Sequence, residues 1–207
     1  TSSIATPGDT AKSKTTGLVP NQTYAIQWFA DGNPTGEVCT VKANEQGELK
    51  SCDITVPKDL SKPTVYSSQV FAADASGQPT GTLLLADSFL ADPTVVRYDE
   101  KTGTAKEKDL EAKPSFDNPN TDVVEEKPQG AKFEFSDPAA AEKLGLSIDP
   151  ATGVVKWPVD KQVEGTNEVL VKVSWTPAPG AQPVSREVPV KFILDAPATD
   201  PVVEDKD

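Results

Sequence analysis

Ile148-Asp149-Pro150-Ala151-Thr152-Gly153-Val154-Val155-Lys156-Trp157-Pro158 reads as strand, tight turn, strand. Pro150 fixes φ at the second turn position and Gly153 closes the turn. The flanking segments Leu146-Ser147-Ile148 and Val154-Val155-Lys156-Trp157 then face each other as a hairpin. A long strand follows over residues 168 to 175, where Val169, Val171, Val173 and Trp175 share one face by the two-residue period. Val188, Val190, Phe192 and Leu194 repeat that pattern after Pro177-Ala178-Pro179-Gly180-Ala181-Gln182-Pro183, and form the last strand. Upstream, Lys132-Phe133-Glu134-Phe135 alternates as a short strand. Residues 137 to 144 are the one helical turn expected, with Asp137 as cap, Pro138 in first position and Gly145 as stop. Thr94-Val95-Val96-Arg97-Tyr98 is a first strand. Residues 99 to 122 read as charged and turn-rich, anchored only by Leu110 and Phe116.

The N-terminal half has the same character. Residues 1 to 14 are small and polar, a leader or a weak edge strand. In the strand over residues 23 to 29, Tyr24, Ile26 and Trp28 share a face and are core candidates. Asp31-Gly32-Asn33-Pro34-Thr35-Gly36 signals a turn into a hairpin expected to carry Cys39 on one arm and Cys52 on the other, with Glu45-Gln46-Gly47-Glu48 between them. Two further strands, residues 65 to 72 and 81 to 89, flank Asp74-Ala75-Ser76-Gly77-Gln78-Pro79-Thr80. At least five strands at regular spacing without helical period favour an immunoglobulin-like sandwich.

Composition agrees. The 207 residues suffice for two domains, and 19 Pro and 13 Gly against 36% hydrophobic residues fit short strands joined by many turns. The net charge of -12 disfavours nucleic acid and anionic membrane surfaces, both of which need a clustered basic face. Residues 1 to 92 carry 6 Lys and 10 Asp+Glu, and residues 93 to 207 carry 14 Lys+Arg and 22 Asp+Glu, so the acidity belongs to both halves. It keeps neighbouring copies soluble and apart, and the chain is expected to be a monomer. With no Met and no apolar run of membrane-spanning length, it reads as a processed piece whose signal or anchor lies elsewhere.

Cys39 and Cys52 are the only cysteines. Facing arms of a hairpin bring such a pair within bonding distance, and an exported protein favours oxidation, so a Cys39–Cys52 disulfide is expected. Two cysteines in a chain without His lack the four ligands of a structural zinc, and their spacing is not that of a redox pair.

Two resemblances refine these expectations. Gly17-Leu18-Val19-Pro20-Asn21-Gln22-Thr23-Tyr24 and Asp74-Ala75-Ser76-Gly77-Gln78-Pro79 resemble repeat domains of Gram-positive surface proteins and pilins. Many of those close an isopeptide bond between a first-strand Lys and a last-strand Asn. Lys12 and Lys14 would supply the amine here, but the last strand ends in Asp87-Ser88-Phe89 with no Asn. Residues 146 to 158, the following strand and the terminal Val188-Pro189-Val190-Lys191-Phe192-Ile193-Leu194 resemble the Rib family, which occurs as tandem repeats in the same class of proteins. That resemblance implies a compact sandwich that lengthens a stalk. Asp92-Pro93-Thr94-Val95-Val96 is echoed by Asp200-Pro201-Val202-Val203, as the start of a further copy would be.

The expected organisation is all-β, two immunoglobulin-like β-sandwich domains in tandem. Residues 1-14 are a leader or weak edge strand, 15-91 the sandwich with the disulfide, 92-195 the Rib-like sandwich and 196-207 a linker or the start of a further repeat. Catalysis is not expected: there is no His, no nucleophile elbow and no phosphate-cradling glycine loop. No cofactor or metal is expected either. The densest oxygen-ligand cluster, Asp117-Asn118-Pro119-Asn120-Thr121-Asp122 with Glu125 and Glu126, lacks the spacing and glycine of a calcium loop, and a solvated Asx turn is the favoured alternative. Trp28, Trp157 and Trp175 are expected in the core rather than on a carbohydrate-binding surface. The expected role is a stalk region of a cell-wall-anchored Gram-positive surface protein, its partners being neighbouring repeats of the same chain. An adhesive module that itself binds a host protein or glycan is the alternative.

Overall fold

A computed structural model describes residues 4–121, 125–177 and 179–199. The chain forms two compact units, Thr1–Pro93 with Asn118–Asp122, and Thr94–Asp117 with Val123–Asp207. Both are all-β sandwiches of the immunoglobulin-like class, as the strand pattern leads one to expect.

Unit 1 contains β1 (Thr10–Lys12), β2 (Thr23–Ala30), β3 (Asn33–Lys42), β4 (Asp53–Thr55), β5 (Thr64–Ala73) and β6 (Pro79–Ala91). One antiparallel sheet runs β3-β2-β5-β6, and β1 pairs with β4. Tyr24, Ile26 and Trp28 alternate inward from β2 and are at most 2% exposed; they pack with Tyr66 and Val70 of β5 and with Cys52, Ile54 and Val56 around β4. Each such side chain taken from water contributes about 1.5–3 kcal/mol. The Gly17–Tyr24 motif has a physical basis: the Tyr24 hydroxyl accepts the Val19 N–H at 3.0 Å and fixes the chain's entry into β2.

Two expectations for this unit need correction. The cysteines do not sit on paired arms, because β3 pairs with β2 and β4 pairs with β1. Pairing β3 with β2 keeps Cys39 and Val41 against the core, a constraint the local turn between the cysteines does not supply. The turn before β3 is also tighter than expected, confined to Asp31-Gly32, with Asn33 through Gly36 already in the strand. Of the two alternatives for residues 1–14, the edge strand describes Thr10–Lys12, and Ala5 and Ala11 pack against the core. Asn118 and Asn120 also belong to this unit. The Asn118 amide donates to the Ser61 carbonyl at 2.8 Å, and the Asn120 amide to those of Lys58 and Leu60 at 2.8 and 3.0 Å.

Unit 2 contains β7 (Val95–Tyr98), β8 (Lys101–Thr104), β9 (Leu110–Ala112), β10 (Pro114–Asp117), β11 (Lys132–Phe135), α1 (Pro138–Leu144), β12 (Ser147–Ile148), β13 (Val155–Trp157), β14 (Gly165–Trp175) and β15 (Val184–Asp195). Its sheets run β11-β14-β15-β8, β12-β13-β9 and β10-β7. Among its described strands only β8 with β15 is parallel. Val171, Val173, Val190, Phe192 and Trp157 are fully buried, the core the alternation prescribes. The helix is capped as expected: the Asp137 carboxylate accepts the Ala140 N–H at 3.1 Å, and Gly145 stops the helix at φ 75°. Residues 99 to 117, by contrast, form three strands, β8, β9 and β10, that their charge and shortness conceal. Leu110 and Phe116 are buried as expected, and Ala105 and Ala112 join them.

Candidate functional site

The Asp149–Gly153 turn joins β12 to β13, in register Ser147 with Lys156 and Ile148 with Val155. The Asp149 carboxylate accepts the N–H groups of Ala151 and Thr152 at 2.8 and 3.0 Å. Those backbone donors, Thr152 first, hold the exposed acid below the usual carboxylate range. Three other groups converge on the same turn from outside: the Tyr98 hydroxyl on the Gly153 carbonyl at 2.6 Å, the Lys127 ammonium on the Ala151 carbonyl at 2.7 Å, and the Phe133 N–H on the Pro150 carbonyl at 3.0 Å. Burial raises the Tyr98 phenol above the ordinary value of 10.0. Gly153 lies at φ 76°, and a Cβ there would stand 2.5 Å from the Phe133 ring. The motif most conspicuous in the sequence is therefore a packing node. Its polar groups are spent on the chain's own backbone.

Asp74 does the same in unit 1, accepting from Ser76 N–H, Ser76 hydroxyl and Gln78 N–H at 2.8, 2.7 and 3.0 Å. The Ser76 hydroxyl is the largest cause of its lowered pKa, with the Gln78 N–H next.

Cys39 and Cys52 form a disulfide, with Cα atoms 5.9 Å apart. It ties β3 of the four-stranded sheet to the residue just before β4. The Cys52 carbonyl also accepts the Trp28 indole N–H at 3.0 Å, so crosslink and core tryptophan secure the same point.

The remaining sequence candidates divide cleanly. Trp28, Trp157 and Trp175 are 2%, 0% and 4% exposed, in the core as expected. The Trp157 indole donates to the Leu144 carbonyl at 2.6 Å. In the oxygen-rich cluster the Asx turn forms, Asn118 Oδ1 accepting the Asn120 N–H at 3.0 Å, but Asn118 is only 4% exposed rather than solvated. Asp122 lies outside the described residues. Among the described residues no three His, Cys, Asp or Glu side chains are grouped to hold a metal ion. Lys12 pairs with Asp53 in the β1–β4 ladder, and Lys14 lines a cleft of about 270 Å³ with Asp87, Leu85 and Val70. Asp200–Val203, the echo of Asp92–Val96, lies outside the described residues.

Two features are not anticipated from the sequence. Gln162 is fully buried: its Oε1 accepts the Lys106 N–H at 2.9 Å, and its Nε2 donates to the carbonyls of Lys108 and Trp157 at 2.7 and 3.1 Å. No local pattern marks such a tether. Leu83, Leu84 and Leu85 are each more than 40% exposed on β6, an edge strand with a register shift between them. Here a signal existed, since three consecutive leucines cannot all face one side of a strand. Beyond the leucines, the Asp87 carboxylate accepts the Ser88 N–H at 2.9 Å.

No family model and no curated protein matches the chain. Among solved structures it is similar to the human desmocollin-1 ectodomain at 12% identity and TM-score 0.34, over 82% of this chain and 33% of that one. It is similar to protocadherin gamma B2 extracellular cadherin domains 3-6 at 13% identity and TM-score 0.28, over 95% and 52%. Against chicken VE-cadherin EC1-2 the values are 11% and 0.28, over 90% and 91%. The chain thus spans a third of the first of these proteins and about half of the second.

Proposed function

We propose that this chain is a non-catalytic spacer region of a cell-wall-anchored surface protein of a Gram-positive bacterium, holding a distal adhesive function away from the cell. The observation that carries it is the use made of the chain's conspicuous side chains. Asp74, Tyr98, Asn120, Asp149, Trp157 and Gln162 all hydrogen-bond the chain's own backbone. Groups used in that way make sturdy modules. The Rib-like stretch from 146 to 158 supports the extracellular setting, the disulfide fits an oxidising one, and the net charge of -12 keeps copies apart. Neighbouring repeats of the same chain are its partners, and it acts as a monomer.

One observation favours the alternative, a module that itself binds a host protein or glycan: the exposed Leu83-Leu84-Leu85 run on the β6 edge, of the kind to which extended peptides add as a strand. Titrating immobilised host matrix proteins and glycans with the whole chain separates the two. The spacer leaves every surface without saturable binding. Saturable binding lost in a Leu83→Thr, Leu85→Thr double variant would replace it with the adhesive module.

A further inference from the structure

The way each unit joins its first and last segments decides how it responds to a pull on the two ends of the chain. In unit 2, β8 lies parallel to β15, with Lys101, Thr102, Gly103 and Thr104 opposite Phe192, Ile193, Leu194 and Asp195. The Ala105 N–H extends the ladder by donating to the Asp195 carbonyl at 2.9 Å. By the two-residue alternation of a strand, Gly103 and Lys101 turn their backbone groups to β15 as well. Unit 1 repeats the arrangement in miniature: Ala5 bridges Ala91 in parallel, with Ala5 N–H donating to the Leu90 carbonyl at 3.0 Å and Asp92 N–H to the Ala5 carbonyl at 2.9 Å.

β8 follows β7, the first strand of unit 2, which pairs antiparallel with β10, so a pull from the N-terminal side reaches β8 through β7, and the parallel pairing of this early strand with the leaving strand has a mechanical consequence. Tension draws the early strand back towards its start and the leaving strand on towards its end, so the two slide along their common axis. Every hydrogen bond between them is then strained together, whereas a strand pair pulled open from one end breaks its bonds in succession. We infer that the β8–β15 pairing is a shear clamp that sets the lifetime of unit 2 under tension, and that the Ala5–Ala91 bridge does the same on a smaller scale in unit 1. Forced unfolding is governed by the unfolding barrier, so a clamp at the ends can matter greatly under load while contributing modestly to equilibrium stability. The clamp serves the cell only if the chain bears tension as the spacer proposed above. An adhesive module would carry the same hydrogen bonds, so force measurements test the clamp and binding titrations test the spacer, each independently.

The test is single-molecule unfolding of the whole chain at constant force, held by its termini. Reduction of Cys39–Cys52 identifies the unit 1 step, which lengthens by roughly 40 Å when the 13-residue span becomes extensible. In unit 2, Gly103→Pro removes an N–H at the centre of the patch and sets the ring Cδ towards β15 in its place, while the added Cβ meets only Leu194 Cδ2 at 4.0 Å. The expected result is a lifetime shortened about tenfold, equivalent to about 1.4 kcal/mol of barrier, with a smaller change for Asp137→Ala, which uncaps α1 and touches neither β8 nor β15. Equal shortening by both variants, or none by Gly103→Pro, overturns the clamp. Should Gly103→Pro not fold, the unaltered chain pulled between Glu164 and its C-terminus decides. Glu164 directly precedes Gly165, and the chain leaves β15 just after its partner Leu194, at the same end of the β14–β15 ladder, so this pull unzips it, and unit 2 is expected to yield sooner than under terminal pulling. Equal lifetimes in the two directions overturn the clamp.

Discussion

The two units meet the same difficulty with different chemistry. Each must hold short, irregular segments over a long antiparallel sheet, β4 over β2 and β5 in unit 1, and the residue 105–109 and 158–162 loops beside β13 in unit 2. Unit 1 uses a covalent bond, Cys39–Cys52, at the point where Trp28 also hydrogen-bonds. Unit 2 has no cysteine and uses buried polar side chains, Gln162 on three backbone groups and Tyr98 on the Gly153 carbonyl. A crosslink acts largely by restricting the unfolded chain, whereas a hydrogen-bonded tether acts in the folded state and leaves orphaned groups when removed. The two units should therefore respond to different insults.

The largest effect is expected from Trp157→Ala, which empties the centre of unit 2 and orphans the Leu144 carbonyl. A loss of about 3–5 kcal/mol should appear as an earlier unit 2 transition in urea, with the transition reported by Trp28 unmoved. Next comes Cys39→Ala with Cys52→Ala, which should cost unit 1 about 2–4 kcal/mol and leave unit 2 unchanged. If reduction shifts both transitions equally, the contrast between the units fails. Gln162→Ala should cost unit 2 about 1–3 kcal/mol, through the unsatisfied backbone groups it leaves behind, and proton exchange at the Lys106 amide should accelerate.

Tyr98→Phe should cost about 1 kcal/mol and sharpen the comparison through pH. Burial raises the Tyr98 phenol above 10.0, so its stabilisation is complete below pH 10 and lost as the pH rises through the folded value. Unit 2 should weaken in that alkaline range, and Tyr98→Phe should lessen the slope. The smallest effect is shared by both units. Asp149 and Asp74 are held below the ordinary 3.8, so their contribution is present above that value and lost as the pH falls through the folded pKa. Asp149→Asn and Asp74→Asn should each flatten the acid limb of the unit that carries it, as read by thermal melts at successive pH values.

Much of the fold is legible along the chain because its long strands are amphipathic by themselves. The alternation in β2, β14 and β15, the caps of α1 and the Asp149–Gly153 turn are local facts, fixed by side-chain period, proline geometry and glycine's access to positive φ. The same holds for the three tryptophans, which alternate with other apolar residues and are buried. For β8, β9 and β10 the chain carries little local signal. Lys101-Thr102-Gly103-Thr104 is a strand only because β15 offers its edge, and Leu110-Glu111-Ala112 only because β13 does.

The disulfide shows the boundary between the two kinds of knowledge. That Cys39 and Cys52 pair follows from there being two cysteines in a chain of this class, but not the strands they join. The local turn between them favours a hairpin, and the need to bury one face of β3 against β2 overrides it. Sequence alone settles the faces of the long strands, the Asp149–Gly153 turn, the caps of α1 and the acidic charge, since these depend on composition or on neighbours within a few residues. Tertiary structure alone settles which strands pair, that Gln162 and Asn118 are buried, and that Leu83, Leu84 and Leu85 are not, because those outcomes depend on partners some 50 or more residues away or on the open edge of a sheet.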